Sequence, residues 1–361
     1  MKRFPFLDWM RGLAVVIMIQ CHVFNSFARM DVREGGPYVL SQFVGGMAAP
    51  LFLFMAGMTL AFQMDSLERR EPDRLRRWLG SLRRAGYILV IAFTFRFTNW
   101  LASLPHADFQ ELTKVDILNC MGVAMAAISV AAVFDGPNRA RFAVAAGMVI
   151  AAASPIMANL AWDGAPGLVR EYLVPGVGRG RFPFFPCASY GAFGLAVGTL
   201  VKRAAAGSIE RLMQWSVAAG FVLVFAAQYF SNIPYSIYSK SNFWTNSPAL
   251  ILIRVGIMLL MMAGAYLWTE YCAGAGWSWM LTLGKTSLMV YWIHVMLVYG
   301  DVAKPFKRSL SIPQTALATL LVVVLMVGLS VAWLWWQSRR KAARAASVAA
   351  PKLTPAGVSS Q

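Results

Sequence analysis

The sequence predicts an all-α, polytopic integral membrane protein with about ten transmembrane helices, and three observations carry that expectation. Of its residues 58% are hydrophobic and 14% charged, where an ordinary soluble domain carries about 25% charged. Apolar stretches of about 18 residues or more recur along the chain, each long enough to cross a hydrocarbon core of about 30 Å as a helix. The Lys and Arg residues behind the net charge of +17 sit between those stretches. That is how membrane proteins distribute loop charge, whereas a nucleic-acid domain gathers it on one soluble face. Nucleic acid is therefore not an expected partner; membrane lipid is, through its headgroups.

Taken in order, the apolar windows place helices at 7–28, 39–62, 84–102, 117–134, 141–161, 183–201, 213–231, 248–270, 280–299 and 310–336. The first follows Lys2 and Arg3, but Asp8 and Arg11 interrupt its apolar run and no A-x-A site follows, so it reads as an uncleaved first helix and not as a signal peptide. In the sixth, Gly194 and Gly198 have the spacing of a helix-packing motif, and the alternating Gly176, Gly178 and Gly180 before it give a flexible turn. Residues 1–336 form one membrane domain and 337–361 a disordered cytoplasmic tail, rich in Ala, Pro and Ser from 345. Under this topology one side holds twenty Lys and Arg and the other ten, which puts both termini in the cytoplasm. The last outer loop runs against that rule with Lys304, Lys307 and Arg308. Cys21, Cys120, Cys187 and Cys272 show no C-x-x-C spacing and read as small core residues.

With no soluble catalytic domain apparent, any chemistry rests on ionisable groups within the spans, which are costly and mark functional sites by default. On the first helix Arg11 and His22 are eleven residues apart, close to three full turns, so they share a face about 16 Å apart along the axis, with Asp8 able to pair with Arg11. On the ninth, His294 falls at similar depth to His22, and Ser287 and Tyr291 share its face. Arg96 on the third helix and Arg254 on the eighth reach the same outer layer, and Asp116 and Asn119 at the start of the fourth can complete it. A lone intramembrane histidine is often a structural hydrogen-bonder, and the arginines can snorkel. Four ionisable residues from four helices at one depth favour function.

Chemically, imidazole suits proton abstraction from a hydroxyl or amine near neutral pH. Guanidinium forks at the inner surface suit phosphates, so a phosphate-bearing donor from the cytoplasm and an acceptor from outside would meet near His22. No H-E-x-x-H, G-x-x-x-x-G-K-[ST] or G-x-S-x-G occurs; zinc hydrolysis, P-loop chemistry and a nucleophile elbow have no support, and no metal is expected.

The run Leu7-Asp8-Trp9-Met10-Arg11-Gly12-Leu13-Ala14 followed by His22 resembles the start of the transmembrane acyltransferase superfamily, with its Arg-x10-His signature. Ala49 to Gly57, Asp116-Ile117-Leu118, Arg181 to Pro186, and Leu283-Gly284-Lys285-Thr286-Ser287-Leu288 through Tyr291 and His294 are similar to the branch of heparan-alpha-glucosaminide N-acetyltransferase, itself related to bacterial polysaccharide acyltransferases. The resemblance implies transfer of an acetyl or acyl group from cytoplasmic acyl-CoA to an extracytoplasmic hydroxyl or amine, a sugar or glycan, in a bacterial inner (plasma) membrane. It implies that His22 is catalytic and Arg11 its paired arginine. Arg74 and Arg77 resemble an Arg-x-x-Arg of the polysaccharide-acylating branch and join Arg11 as the expected CoA-phosphate site. His294, Arg96, Arg254, Asp116, Asn119 and Tyr291 are expected to bind the acceptor or steady charge. The acceptor, the acyl length, the oligomeric state and the choice between a ternary complex and an acyl-enzyme stay open. The competing reading is a transporter of a small anion or sugar, for which discontinuous helices are expected and Pro50 and Pro248 are the only hints.

Overall fold

The computed structural model describes residues 4–104, 108–174, 182–204, 207–274 and 276–349. It is 81% helical, with no strand among the described residues. The helices are α1 (Pro5–Phe27), α2 (Gly36–Gly45), α3 (Ala48–Glu68), α4 (Arg74–Ala102), α5 (Ile117–Ile128), α6 (Gly136–Asn159), α7 (Gly167–Leu173), α8 (Phe184–Ala204), α9 (Ile209–Ser231), α10 (Pro248–Leu267), α11 (Trp279–Lys285), α12 (Ser287–Tyr299) and α13 (Ile312–Ala349).

Among the described residues eight helices are long and apolar enough to cross a membrane, and a bent pair makes up to nine; about ten were expected. The fourth window yields only a short apolar helix, Ile117–Val133, begun by the Asp116 cap and ended by the extended Phe134; its last part, from Ser129, is 3₁₀, and the Ser129 hydroxyl donates to Ala126 O (2.6 Å) and accepts from the Trp78 indole (3.0 Å). The ninth window is broken: α11 and α12 meet at 88°. At the break Thr286 Oγ1 donates to Thr282 O at 3.0 Å and lies 2.8 Å from Ser330 Oγ on α13, so one hydroxyl satisfies a carbonyl that the interrupted ladder gives up and a second hydroxyl, on α13, meets the first. At the other end, α13 runs to Ala349, past the expected end at 336 and into the segment read as disordered tail. That stretch is rich in Ala, Arg and Lys, all strong helix formers, and Arg339 and Arg340 stack on Trp335 and Trp336 one turn back, at 3.9 and 3.8 Å.

α1 sits at the centre, packed by α2, α3, α10, α11, α12 and α13. Glycines set its closest approach: a Cβ on Gly12 would run into Met280 O of α11, and one on Gly284 into Asp8 O of α1. A second seam joins α3 to α8, where Gly194 faces the Phe54 backbone and Gly198 that of Met58; this is the packing use expected of that pair. The far end of α1 is tied down by the loop before α13, through Arg308 N–H to Ser26 O (3.0 Å) and Leu310 N–H to Phe27 O (3.0 Å). Beside it Ser26 Oγ donates to Val298 O of α12 at 3.1 Å, which ties the turn after His22 to α12.

Candidate functional site

His22 and His294 meet. The Nδ1 of His22 lies 2.9 Å from Nε2 of His294, and the two rings stack with centroids 5.1 Å apart and planes 11° from parallel. Behind them, His294 Nδ1 lies 2.7 Å from Val290 O one turn earlier on α12. A carbonyl can only accept, so His294 carries its proton on Nδ1 and offers a lone pair at Nε2. His22 must then donate from Nδ1. In its neutral form its basic nitrogen is Nε2, and the backbone of α12 has thereby set the tautomer of a side chain on α1. His294 itself is wholly buried, at 0% exposure.

Two cavities approach this pair from opposite ends of the bundle. The smaller, about 300 Å³, is lined by Arg11, Thr59, Arg84, Ser287 and Tyr291 among apolar residues of α3, α4 and α5. The larger, about 750 Å³, is lined by His22, Arg96, Lys114, Arg254, Tyr190 and Tyr299, with further aromatic residues around them. Phe52, Ile117 and Tyr291 belong to the walls of both, so a layer one side chain thick separates them. The Tyr299 ring stands edge-on to His22 at 5.3 Å, and Tyr291 is edge-on to His294 at 6.0 Å.

Of the residues singled out in the sequence, His22, Arg96, Arg254 and Tyr291 line the larger cavity together, and His294 lies directly behind His22. Asp116 and Asn119 have other work. Asp116 caps α5, its Oδ1 accepting from Leu118 N (2.9 Å) and Asn119 N (3.1 Å), while its Oδ2 pairs with Arg96 Nε at 3.1 Å. Asn119 closes the capping box and donates from Nδ2 to the Tyr172 hydroxyl at 3.2 Å. Burial pushes the Tyr172 phenol above its ordinary range, keeping it protonated. Both Asp116 and Asn119 are buried and neither belongs to the cavity wall; Asp116 meets that wall only through its pair with Arg96.

At the other end the expected arginine trio separates. Arg11, held by Asp8 at 3.1 Å, lines the smaller cavity. Arg77 is buried on α4 against Asp135 at 3.7 Å, and Arg74 is exposed at the helix start; neither lines the cavity. The cation that joins Arg11 there is Arg84. It was missed because it stood in the sequence as one more loop charge, although α4 begins at Arg74 and Arg84 lies about 15 Å further along it. Lys114 and Tyr299 on the larger cavity were missed as well. Arg181 and Arg179 lie outside the described residues. Among the described residues no group of three or more His, Cys, Asp or Glu is placed to hold a metal ion.

A polytopic helical bundle with one cavity on the Arg11 side and another walled by His22, with His294 buried behind it, defines a membrane protein whose candidate site lies among its spanning helices. The chain belongs to the acyltransferase-3 family: the family's model, an acyltransferase domain, matches residues 4–336, nearly its whole length. It is therefore a membrane acyltransferase. Among curated proteins none matches the chain.

Proposed function

We propose that the protein moves an acetyl or other acyl group from acyl-CoA, held on the Arg11 side, to a hydroxyl or amine of a sugar or glycan held in the larger cavity, with His22 as general base. The single observation that carries this reading is the chain Val290 O to His294 to His22, which leaves a basic nitrogen on a residue of the larger cavity's wall. The acceptor hydroxyl or amine gives its proton to His22 Nε2 as its oxygen or nitrogen attacks the thioester carbonyl. The carbonyl then reforms as the C–S bond breaks, and the proton held by His22 passes to the departing CoA thiolate, which regenerates the neutral base. As His22 becomes imidazolium, its Nδ1–H bond to His294 becomes charge-assisted, which steadies the charge. The smaller cavity suits the apolar thioester arm, with Arg11 and Arg84 placed for the oxyanions of the donor. In this reading the protein sits in a bacterial inner membrane with both termini in the cytoplasm, the donor comes from inside, and the chemistry is like that of the heparan-alpha-glucosaminide N-acetyltransferase branch.

Purified protein given labelled acetyl-CoA tests the reading. Wild-type should release CoA and transfer label, and His22→Ala should lose about 10²–10⁴-fold of that rate, the usual contribution of a general base. Label left on the protein when no acceptor is present would instead indicate an acyl-imidazole on His22. Near wild-type transfer by His22→Ala defeats both routes. One observation favours the transporter alternative: the 88° break between α11 and α12 is the discontinuous helix such proteins use at a binding site, though it falls at Thr286 and not at Pro50 or Pro248. Uptake of a sugar or anion by proteoliposomes, with no CoA turnover, would put that reading first.

A further inference from the structure

The larger cavity carries a charge that the chemistry of acyl transfer does not require. Among the described residues its wall holds three cations, Arg96, Lys114 and Arg254, and no Asp or Glu. Arg96 is matched by Asp116 behind it. Arg254 is not matched: its Nη1 donates to the Tyr190 hydroxyl at 3.4 Å, a neutral group, and among the described residues no carboxylate lies within ion-pair distance of it. A guanidinium inside a membrane span with only a phenol beside it is costly, and a bound anion would remove that cost. The site is also shaped for it. A Cβ on Gly46 would come to 3.2 Å from Arg254 Nη2, and one on the preceding Gly45 would run into Cys21, the neighbour of His22. Two adjacent glycines therefore bring the α2–α3 corner in between the His22 turn of α1 and the head of Arg254. Phe95, Trp244 and Tyr299 add ring faces and edges to the same wall, suited to the apolar side of a sugar.

We infer that the acceptor is an anionic sugar, its carboxylate, sulfate or phosphoester held by Arg254 while a neighbouring hydroxyl or amine faces His22. This rests on the proposed acyl transfer for the role of the bound sugar, though the anion site stands on geometry alone. Arg254 is then a specificity-determining residue, contributing through a charge-assisted fork.

The test compares glucosamine with glucosamine 6-phosphate and glucosamine 6-sulfate, and glucose with glucuronate, on wild-type, Arg254→Gln and Arg254→Lys protein in detergent, by calorimetric binding and by label transfer from acetyl-CoA. Wild-type should bind at least one anionic sugar about tenfold or more tightly than its neutral partner, the usual worth of a hydrogen bond to a charged group. Arg254→Gln should erase that ratio, and Arg254→Lys should keep part of it. Which of the three anions binds best identifies the oxyanion. Equal affinity for neutral and anionic sugars in wild-type, or a preference that survives in Arg254→Gln, overturns the inference. If the preference holds in binding but no label moves to any sugar, the anion site stands and the acyl-transfer reading fails. If label moves equally well to neutral and anionic sugars that bind equally, the reverse is true.

Discussion

Replacing His294 isolates what the second histidine contributes. It is wholly buried, does not line the larger cavity and touches His22 through a 2.9 Å nitrogen–nitrogen bond, so under the proposed mechanism it acts as a positioning residue. A general base must start neutral, so under that mechanism the bond joins two neutral rings before reaction; in the transition state His22 becomes cationic and the bond becomes charge-assisted. A neutral hydrogen bond contributes about 0.5–1.5 kcal/mol and one to a charged group about 1.5–3 kcal/mol, so the gain on reaching the transition state is about 1–1.5 kcal/mol, about 5- to 13-fold in rate. His294→Ala should therefore lower kcat by that factor, less than His22→Ala, with KM for acetyl-CoA little changed because the donor cavity is not lined by His294. His294→Gln, whose amide oxygen can still accept from His22 Nδ1, should recover part of the loss, which filling of the buried space alone does not explain for a Leu replacement. The assay is CoA release, followed chromatographically on monodisperse protein. A His294→Ala enzyme with kcat within twofold of wild-type, or Leu and Gln variants of equal rate, would refute the relay.

Three further outcomes follow from the same contacts. Arg11→Ala and Arg84→Ala should each weaken CoA binding by about tenfold or more while Arg74→Ala does so less; calorimetry giving the opposite order would return the phosphate site to the Arg74–Arg77 pair. Arg96→Ala strands Asp116, buried and capped in α5, and should cost about 3–5 kcal/mol of stability. Arg96→Ala combined with Asp116→Asn should cost less than the single variant, so strict additivity of the thermal shifts in detergent counts against the pairing. Gly284→Val should lower thermal stability by several degrees, because its Cβ runs into the Asp8 backbone, and a variant with unchanged melting would show that the α1–α11 seam can open without loss.

Depth along a helix is arithmetic at 1.5 Å per residue, which is why the sequence could bring His22, Arg96, Arg254 and His294 to one layer before any contact was known. Direction and continuity are not arithmetic. Asp116 sat at the right depth, yet its backbone context as the N-cap of α5 turned its carboxylate to Leu118, Asn119 and Arg96. The break in the ninth window lacks a proline; its only trace is the run Gly284, Lys285, Thr286, Ser287, a stretch of mostly weak helix formers inside an apolar span, and the partner that stabilises it, Ser330, is remote in sequence. Arg84 was hidden by its company, since among the seven arginines of residues 63–84 nothing local distinguishes the one that α4 carries into the bundle.

The layer shared by the two cavities, built from Phe52, Ile117 and Tyr291, would under the proposed transfer serve also as an electrical insulator. A carrier that delivered its polyanionic donor across the membrane would have to move each charge through the transmembrane potential, at about 2.3 kcal/mol per charge per 100 mV, and would risk opening a path for ions and protons each time. If the donor is seated on one side of that layer and the acceptor on the other, only an uncharged fragment of a few atoms needs to pass it. The work done per turnover is then nearly independent of membrane voltage, and the cell keeps both its cofactor and its gradient.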